Sequence, residues 1–310
     1  MQGNTTNWHI ILNPVAGKKK AVKLWRKLEP ALTQHHIHYT LHKTAYRNHA
    51  IKIAEMLVRE GVKNVIIIGG DGTANEVING IFRQSINAEG ITVAMLSAGT
   101  GNDWVRTIGK HTSIENIIAS LRNKKTYLHD IGVIQYKKDN VGQKRYFINI
   151  AGLGFDGYVA KKITESNRIL QGTKLQYWFA LLQSLFVYKH HTVQFIVDGK
   201  EMHVQTLSAA VGICKYNGGG MMQLPAAQYN DGLLDGTIIT NMSKCKMVIS
   251  LPKLTDGSFT AMKEVKQCRG RTIEITSEAI TYVEADGEFL GELPVHITLQ
   301  KEALQVLRWE

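Results

Sequence analysis

The chain has 310 residues, 44% of them hydrophobic and 20% charged. That length accommodates two sizeable cores, and the balance of apolar and charged residues excludes an intrinsically disordered chain. A net charge of +11, from 37 Lys and Arg against 26 Asp and Glu, predicts attraction to something anionic: a nucleotide, a nucleic acid or an anionic membrane face.

Strands and helices alternate from residue 8. Trp8 to Leu12 reads as a strand ending at Asn13-Pro14, and Ala21, Val22, Trp25, Leu28 and Leu32 recur at helical spacing, with Pro30 expected to end or kink that helix. A second strand is predicted over Ile37 to Leu41. A second helix is marked by Ala50, Ile53, Ala54, Leu57 and Val58. The apolar run Val65 to Ile68 reads as a buried strand, followed by a glycine loop and a helix from about Thr73 to Phe82, then by a strand over Ile91 to Leu96. Continuous apolar strands alternating with helices imply a buried parallel sheet, which binds ligands at the carboxyl ends of its strands. After about residue 126 the pattern changes to strands with hairpin-like turns, near 127–135, 146–151, 193–197, 204–213, 234–240, 271–276 and 280–285. Helical segments near 157–165 and 174–188 interrupt them. This half reads as a predominantly antiparallel β-domain.

Cys214, Cys245 and Cys268 are odd in number and far apart, so neither a disulfide framework nor a zinc site is expected, and a reducing cytosol fits. Adjacent histidines such as His35-His36 point apart, which argues against a histidine metal site. The N-terminus lacks the pattern of a signal peptide, and the apolar stretch Tyr177 to Tyr188 is too short to span a bilayer. The expected location is cytoplasmic.

Three loops carry the chemistry of the first half: NPVAGKKK (13–20), GGDGTANE (69–76) and SAGTGND (97–103). Each follows directly after a predicted strand. Glycines let the backbone approach a ligand, and the N–H groups that open a helix favour an anion, so a phosphate is the first expectation. Singly each loop is also an ordinary turn. The chain contains seven Asp-Gly pairs, and Asp-Gly is a common tight turn. The ordered set of three is what points to a nucleotide.

The set NPVAG, GGDGTANEVING and SAGTGND, followed by NDGLLDG and ADGEFLG, resembles the diacylglycerol kinase catalytic-domain family of bacterial lipid kinases over nearly the whole chain. GGDGT alone is shared with NAD kinases; the NPxxG start and the late DGE make the likeness specific. The resemblance implies an α/β fold with an N-terminal Rossmann-like nucleotide-binding domain (residues 1–127 plus about 300–310). A C-terminal, predominantly antiparallel β-sandwich domain (128–299) would take the lipid, with ATP between the two. It implies that Asn13, Pro14, Val15, Ala16, Gly17, Thr44, Gly70, Asp71, Gly72, Thr73, Ala74, Asn75, Glu76 and Thr100 hold ATP, with Lys18 neutralising phosphate charge. Thr44 fits equally well as a helix N-cap. Asn230-Asp231-Gly232-Leu233 matches the family's structural Mg2+ loop, where the Asp231 carboxylate and the carbonyls of Gln228 and Leu233 would be ligands.

Asp286-Gly287-Glu288 matches the catalytic position, with Glu288 as proton acceptor. If this stretch is extended, Asp286 and Glu288 face one side; the other reading is a hairpin turn. Trp104 stands where the family usually has phenylalanine, a change that would alter the cleft. The run Asn217 to Met222 reads either as a lipid entrance or as a long bulge.

The sequence thus predicts a magnesium- and ATP-dependent lipid kinase, acting on diacylglycerol and bound peripherally at an anionic membrane, with a homodimer left open. The alternatives are a kinase for another lipid alcohol or for NAD, and a nucleotide-gated lipid-binding protein without turnover. No nucleic acid is expected, because the basic runs at 18–20 and 137–145 lack an aromatic stacking stripe.

Overall fold

The structure is a computed structural model and describes residues 7–83, 90–139, 141–165 and 184–310. The chain divides into two compact units, residues 1–131 with 301–310 and residues 132–300.

The first unit is an α/β layer. Strands β1 (Trp8–Leu12), β2 (Tyr39–Lys43), β3 (Asn64–Gly69) and β4 (Thr92–Ser97) pair in the order β2-β1-β3-β4, all parallel. Gln305 and Val306, from the chain end, add a parallel strand beside Thr92 and Val93 of β4. Helices α1 (Ala16–Gln34), α2 (His49–Arg59), α3 (Asp71–Phe82), α4 (Asp103–Ile108) and α5 (Ile114–Asn123) connect them. One core forms where Ala21, Trp25, Leu28 and Leu32 of α1 meet Ile10 and Leu12 of β1, Ile66 and Ile68 of β3, and Ile117 and Leu121 of α5. Those four α1 residues are the periodic apolar positions of the sequence. Their burial explains why the helix continues through Pro30, contrary to expectation: apolar contacts on both sides of the proline outweigh one lost backbone hydrogen bond.

The second unit is antiparallel. Its strands are β5 (Thr126–Lys138, begun in the first unit), β6 (Val141–Phe147), β7 (Ile150–Gly154), β8 (His191–Val197), β9 (Lys200–Thr206) and β10 (Ser208–Gly212). Then come β11 (Tyr216–Asn217), β12 (Met221–Met222), β13 (Leu234–Ile239), β14 (Val265–Gly270), β15 (Ile273–Ser277), β16 (Tyr282–Ala285) and β17 (Glu288–Leu307). One run is ordered β14-β13-β10-β7-β16-β17; a second, β9-β8-β15, joins it at Val295 to Ile297 of β17. Helix α6 (Phe155–Glu165) follows β7 directly, and α7 (Lys244–Ser250) follows β13.

The α/β and antiparallel halves agree with the expected fold class, but several boundaries shift. The second strand starts at Tyr39, two residues later than periodicity suggested. The window 204–213 is two strands, because the chain reverses pairing partner at Leu207. The 146–151 window straddles the break between β6 and β7. The helix expected over 174–188 lies mainly outside the described residues, of which 184–187 are helical.

Candidate functional site

In the first unit the predicted loops meet at the carboxyl ends of β1, β3 and β4. The Asn13 N–H donates to the Ile68 carbonyl at 2.9 Å, and the Asn13 side-chain amide donates to the Thr73 hydroxyl at 2.9 Å. The Thr44 N–H reaches the Leu12 carbonyl at 3.0 Å, so Thr44 lies beside the same strand end. Backbone contact closes the group. A Cβ on Gly17 would sit 1.7 Å from the Ala98 carbonyl oxygen, and one on Gly99 would sit 2.6 Å from the Gly70 Cα. Only glycine permits that approach, and Gly17 also has φ +57°.

Gly70 precedes α3 as its N-cap and offers no side-chain cap, so the helix start presents its first amides without a side-chain acceptor. Gly72 is exposed, and a Cβ placed on it would meet nothing within 4 Å. Pro14 and Ala16 are half-buried, whereas Val15, Lys18 and Thr100 are exposed. Gly17, Lys18 and Lys19 form a left-handed stretch before α1 becomes regular. An uncapped helix start with glycines pressed against neighbouring backbone fits an anionic phosphate.

The inner face of α3 differs from the expectation. Ala74 and Asn75 are completely buried, and Asn75 accepts from the Asn79 amide. Glu76 accepts from the Asn48 N–H at 3.0 Å and the Ala50 N–H at 3.1 Å, capping the start of α2. The side chains of these three residues are engaged within the protein, Ala74 and Asn75 in the interior and Glu76 at the start of α2.

Asp71 accepts from the Trp104 N–H at 3.2 Å. Trp104 is fully buried and does not shape an open surface; its indole N–H donates to His129 Nε2 at 3.2 Å. Burial pushes the His129 imidazole down to about 4, so it stays neutral and accepts that bond. Asp71, Trp104 and His129 thus form one line of support behind the glycine loops. His129 had no sequence motif to reveal it.

In the second unit the DGE stretch is a turn. Asp286 (φ 49°) and Gly287 (φ 82°) are both left-handed, and Ala285 pairs with Glu288 across them. The Asp286 carboxylate accepts from the N–H groups of Ile148 at 2.8 Å, Asn149 at 2.9 Å and Ile150 at 3.2 Å. It therefore ties the turn to the β6–β7 junction. The convergence of Asp286 and Glu288 expected for extended backbone does not occur, because two positive-φ residues reverse the chain. Glu288 is half-buried at the start of β17, on the face of the hairpin shared with Ala285.

The other face belongs to Glu284, which is 2% exposed. It lines a cavity of about 140 Å³, otherwise bounded mainly by apolar side chains such as Phe155, Ile163, Met247, Leu254 and Phe259. Asp156, at the start of α6, lines the same cavity. Burial raises both acids, Asp156 to about 6 and Glu284 to about 8, and repulsion from Asp156 adds to the rise at Glu284. The run Asn217 to Met222 is not a bulge: β11 and β12 pair as a small hairpin, with Asn217, Gly218 and Met221 on the cavity wall. The only sequence signal for Glu284 was an ionisable residue between Val283 and Ala285 in an apolar strand. Asp156 was one of seven Asp-Gly pairs.

The expected magnesium loop has a different arrangement. Asp231 pairs with the Arg269 guanidinium and accepts from the Leu233 N–H at 3.0 Å, while Arg269 also approaches Asp235 at 3.5 Å. Gln228 is exposed. With its carboxylate paired to the Arg269 guanidinium, which also approaches Asp235, Asp231 does not present the open carboxylate that a divalent cation takes. No cluster of three or more His, Cys, Asp or Glu suited to a metal occurs among the described residues. No helix among them is long and apolar enough to cross a membrane.

Residues 7–134 match the diacylglycerol kinase catalytic domain, and residues 149–308 match the YegS C-terminal NAD kinase beta sandwich-like domain. A diacylglycerol kinase of Mycobacterium tuberculosis (strain ATCC 25618 / H37Rv) is 31% identical over 254 residues, covering 81% of this chain and 78% of its own. The fold is similar to the crystal structure of a diacylglycerol kinase from Bacillus anthracis str. Sterne (TM-score 0.73, 21% identity, 99% of this chain and 98% of that one). It is also similar to yeast NADH kinase complexed with NADH (TM-score 0.53, 10% identity, 100% and 85%).

Proposed function

The chain belongs to the diacylglycerol kinase family and is a lipid kinase; from that premise we propose that it transfers the γ-phosphoryl group of ATP to the hydroxyl of an uncharged lipid, diacylglycerol first, giving phosphatidic acid. The observation that supports a lipid acceptor over NAD is the apolar cavity of the second unit, whose wall of Phe, Ile, Leu and Met suits acyl chains and carries no Lys or Arg to meet the phosphates of a second nucleotide.

Phosphoryl transfer through a loose transition state depends on positioning and on neutralising charge. Asn13 to Gly17, Thr44, Gly70 to Thr73 and Thr100 supply the backbone and hydroxyl groups for ATP in this reading, and Lys18 supplies a cation. Asp71, at the head of α3, would hold a magnesium ion accompanying the nucleotide, which offsets phosphate charge. Glu288 takes the hydroxyl proton; Asp286, bound by three amides, holds the turn that presents it.

Membrane contact is peripheral in this reading. Phe186, Val187 and Ile249 are exposed, and Lys244 at the start of α7 donates to the Phe186 carbonyl, placing a cation beside apolar side chains. Binding to anionic vesicles should fall with rising salt.

The test is radiolabelled ATP with mixed micelles of diacylglycerol, monoacylglycerol, ceramide or a sphingoid base, and with NAD. Label in diacylglycerol is expected, and label in NAD alone would overturn the reading. Glu288→Gln should lower turnover by about 10² or more while ATP affinity and melting stay close to wild type. Near-normal turnover would remove Glu288 from the proton path.

A further inference from the structure

The cavity of the second unit has a polar end that the kinase reading does not use. Asp156 and Glu284 meet there above Gly152. A Cβ on Gly152 would sit 2.5 Å from Glu284 Oε1 and 2.9 Å from the Asp156 Cβ, so only glycine leaves room for both acids. The Gln223 amide donates to Asp156 Oδ2 at 3.1 Å, the Asn217 amide donates to Glu284 Oε1 at 3.3 Å, and the Gly287 N–H donates to Glu284 Oε2 at 2.7 Å. Among the described residues no hydrogen bond joins the two carboxyls to each other, and no Lys, Arg or His lines the cavity.

A separate observation concerns Gln223. It is 8% exposed and lines the cavity, and its carbonyl oxygen Oε1 is buried without a hydrogen-bond partner. An unpaired buried acceptor is costly, so it marks a place where a donor is missing. Glu284, raised to about 8, keeps its proton at neutral pH, so the Asp156 carboxylate and the Gln223 amide oxygen are the acceptors at this end of the cavity. A ligand that completes this end must bring a hydrogen-bond donor and must not bring negative charge.

We propose that Asp156, Glu284 and Gln223 form the recognition site for the hydroxyl end of an uncharged lipid, its chains lying along the apolar wall, and that this site rejects the phosphorylated lipid. The hydroxyl donates to an acceptor of this group. A phosphomonoester has no donor to spare when ionised and meets the Asp156 carboxylate and the Gln223 oxygen instead, so substrate is held and product is disfavoured. Gly287 forms part of the cavity wall and precedes Glu288 in the chain, which sets the polar end at the turn that carries Glu288. This assignment rests on the lipid-kinase reading and names the groups that choose the substrate.

The experiment measures displacement of a fluorescent diacylglycerol from the full chain in nonionic micelles, without nucleotide. The competitors are dioleoylglycerol, its acetate ester and dioleoyl phosphatidic acid. Wild type should favour dioleoylglycerol over each of the other two by at least about tenfold. In the isosteric, uncharged variant Asp156→Asn/Glu284→Gln, discrimination against phosphatidic acid should shrink to within about threefold, with ATP binding unchanged. If the double variant melts early, Asp156→Asn alone should move in the same direction.

Ala160→Phe, which fills the cavity from α6, should weaken all lipids together. Unaltered lipid binding by Ala160→Phe would show that the lipid does not enter this cavity, and the placement of substrate in the lipid-kinase reading would fail with it. Loss of binding in Ala160→Phe with discrimination intact in the carboxyl variants would overturn the recognition site alone. Equal wild-type affinity for dioleoylglycerol and its acetate would overturn it as well.

Discussion

Asp71-Gly72 in the first unit and Asp286-Gly287 in the second are the same dipeptide in opposite roles. At 71–72 the chain enters a helix; no side chain caps it, and the space around the Gly72 Cα is open. At 286–287 both residues are left-handed, the chain reverses, and the carboxylate takes three backbone amides. The first arrangement leaves backbone groups for a ligand, whereas the second uses its carboxylate to hold two strands together. A dipeptide sets which turns are permitted, and the neighbours that reach its carboxylate decide what it does.

The contrast is most exposed at Asp286. Asp286→Ala leaves the N–H groups of Ile148, Asn149 and Ile150 without their acceptor, and an expected loss of about 3 kcal/mol or more should appear in urea melting. Unchanged melting with turnover lost would make Asp286 catalytic and erase the contrast. On the other side, the support behind Asp71 is sharpened by pH. His129 has a folded pKa of about 4 against an ordinary 6.5, so the unfolded chain binds the proton first as pH falls. Its stabilising contribution is full above about 6.5 and lost progressively down to about 4, on the order of 3 kcal/mol in all. His129→Gln should remove that slope from stability measured between pH 7 and 4; an identical slope would mean that other groups produce it.

Gly72→Val should fold normally, because its side chain has open space, yet lower ATP affinity by about 10²-fold, read by titration calorimetry. Normal affinity would place the phosphate elsewhere. The smallest effect is expected at Asp231, whose pair with Arg269 is partly exposed: Asp231→Ala should cost under about 1 kcal/mol, equally with and without magnesium. A magnesium-dependent rise in melting that only wild type shows would restore the cation site there.

The buried parallel strands were legible, since four consecutive apolar residues at 65–68 suit a strand covered on both faces. So was the set of glycine loops, because residues that permit close backbone approach are written locally. The course of α1 through Pro30 was not: the proline signal is local, and the contacts that outweigh it come from β1, β3 and α5. Glu76 looked like part of a binding motif until α2 supplied the amides it caps. Glu288 was visible in its motif. Asp156 and Glu284, 128 positions apart in the numbering of this chain, were not visible as a pair. By itself the sequence determined where strands, turns and close-approach glycines occur, because those depend on φ, ψ and on the alternation of a few neighbouring residues. Tertiary structure alone decided which carboxylates are held by amides, which by arginine and which are buried beside one another, because hydrogen-bond partners and desolvation come from chain segments far apart in sequence.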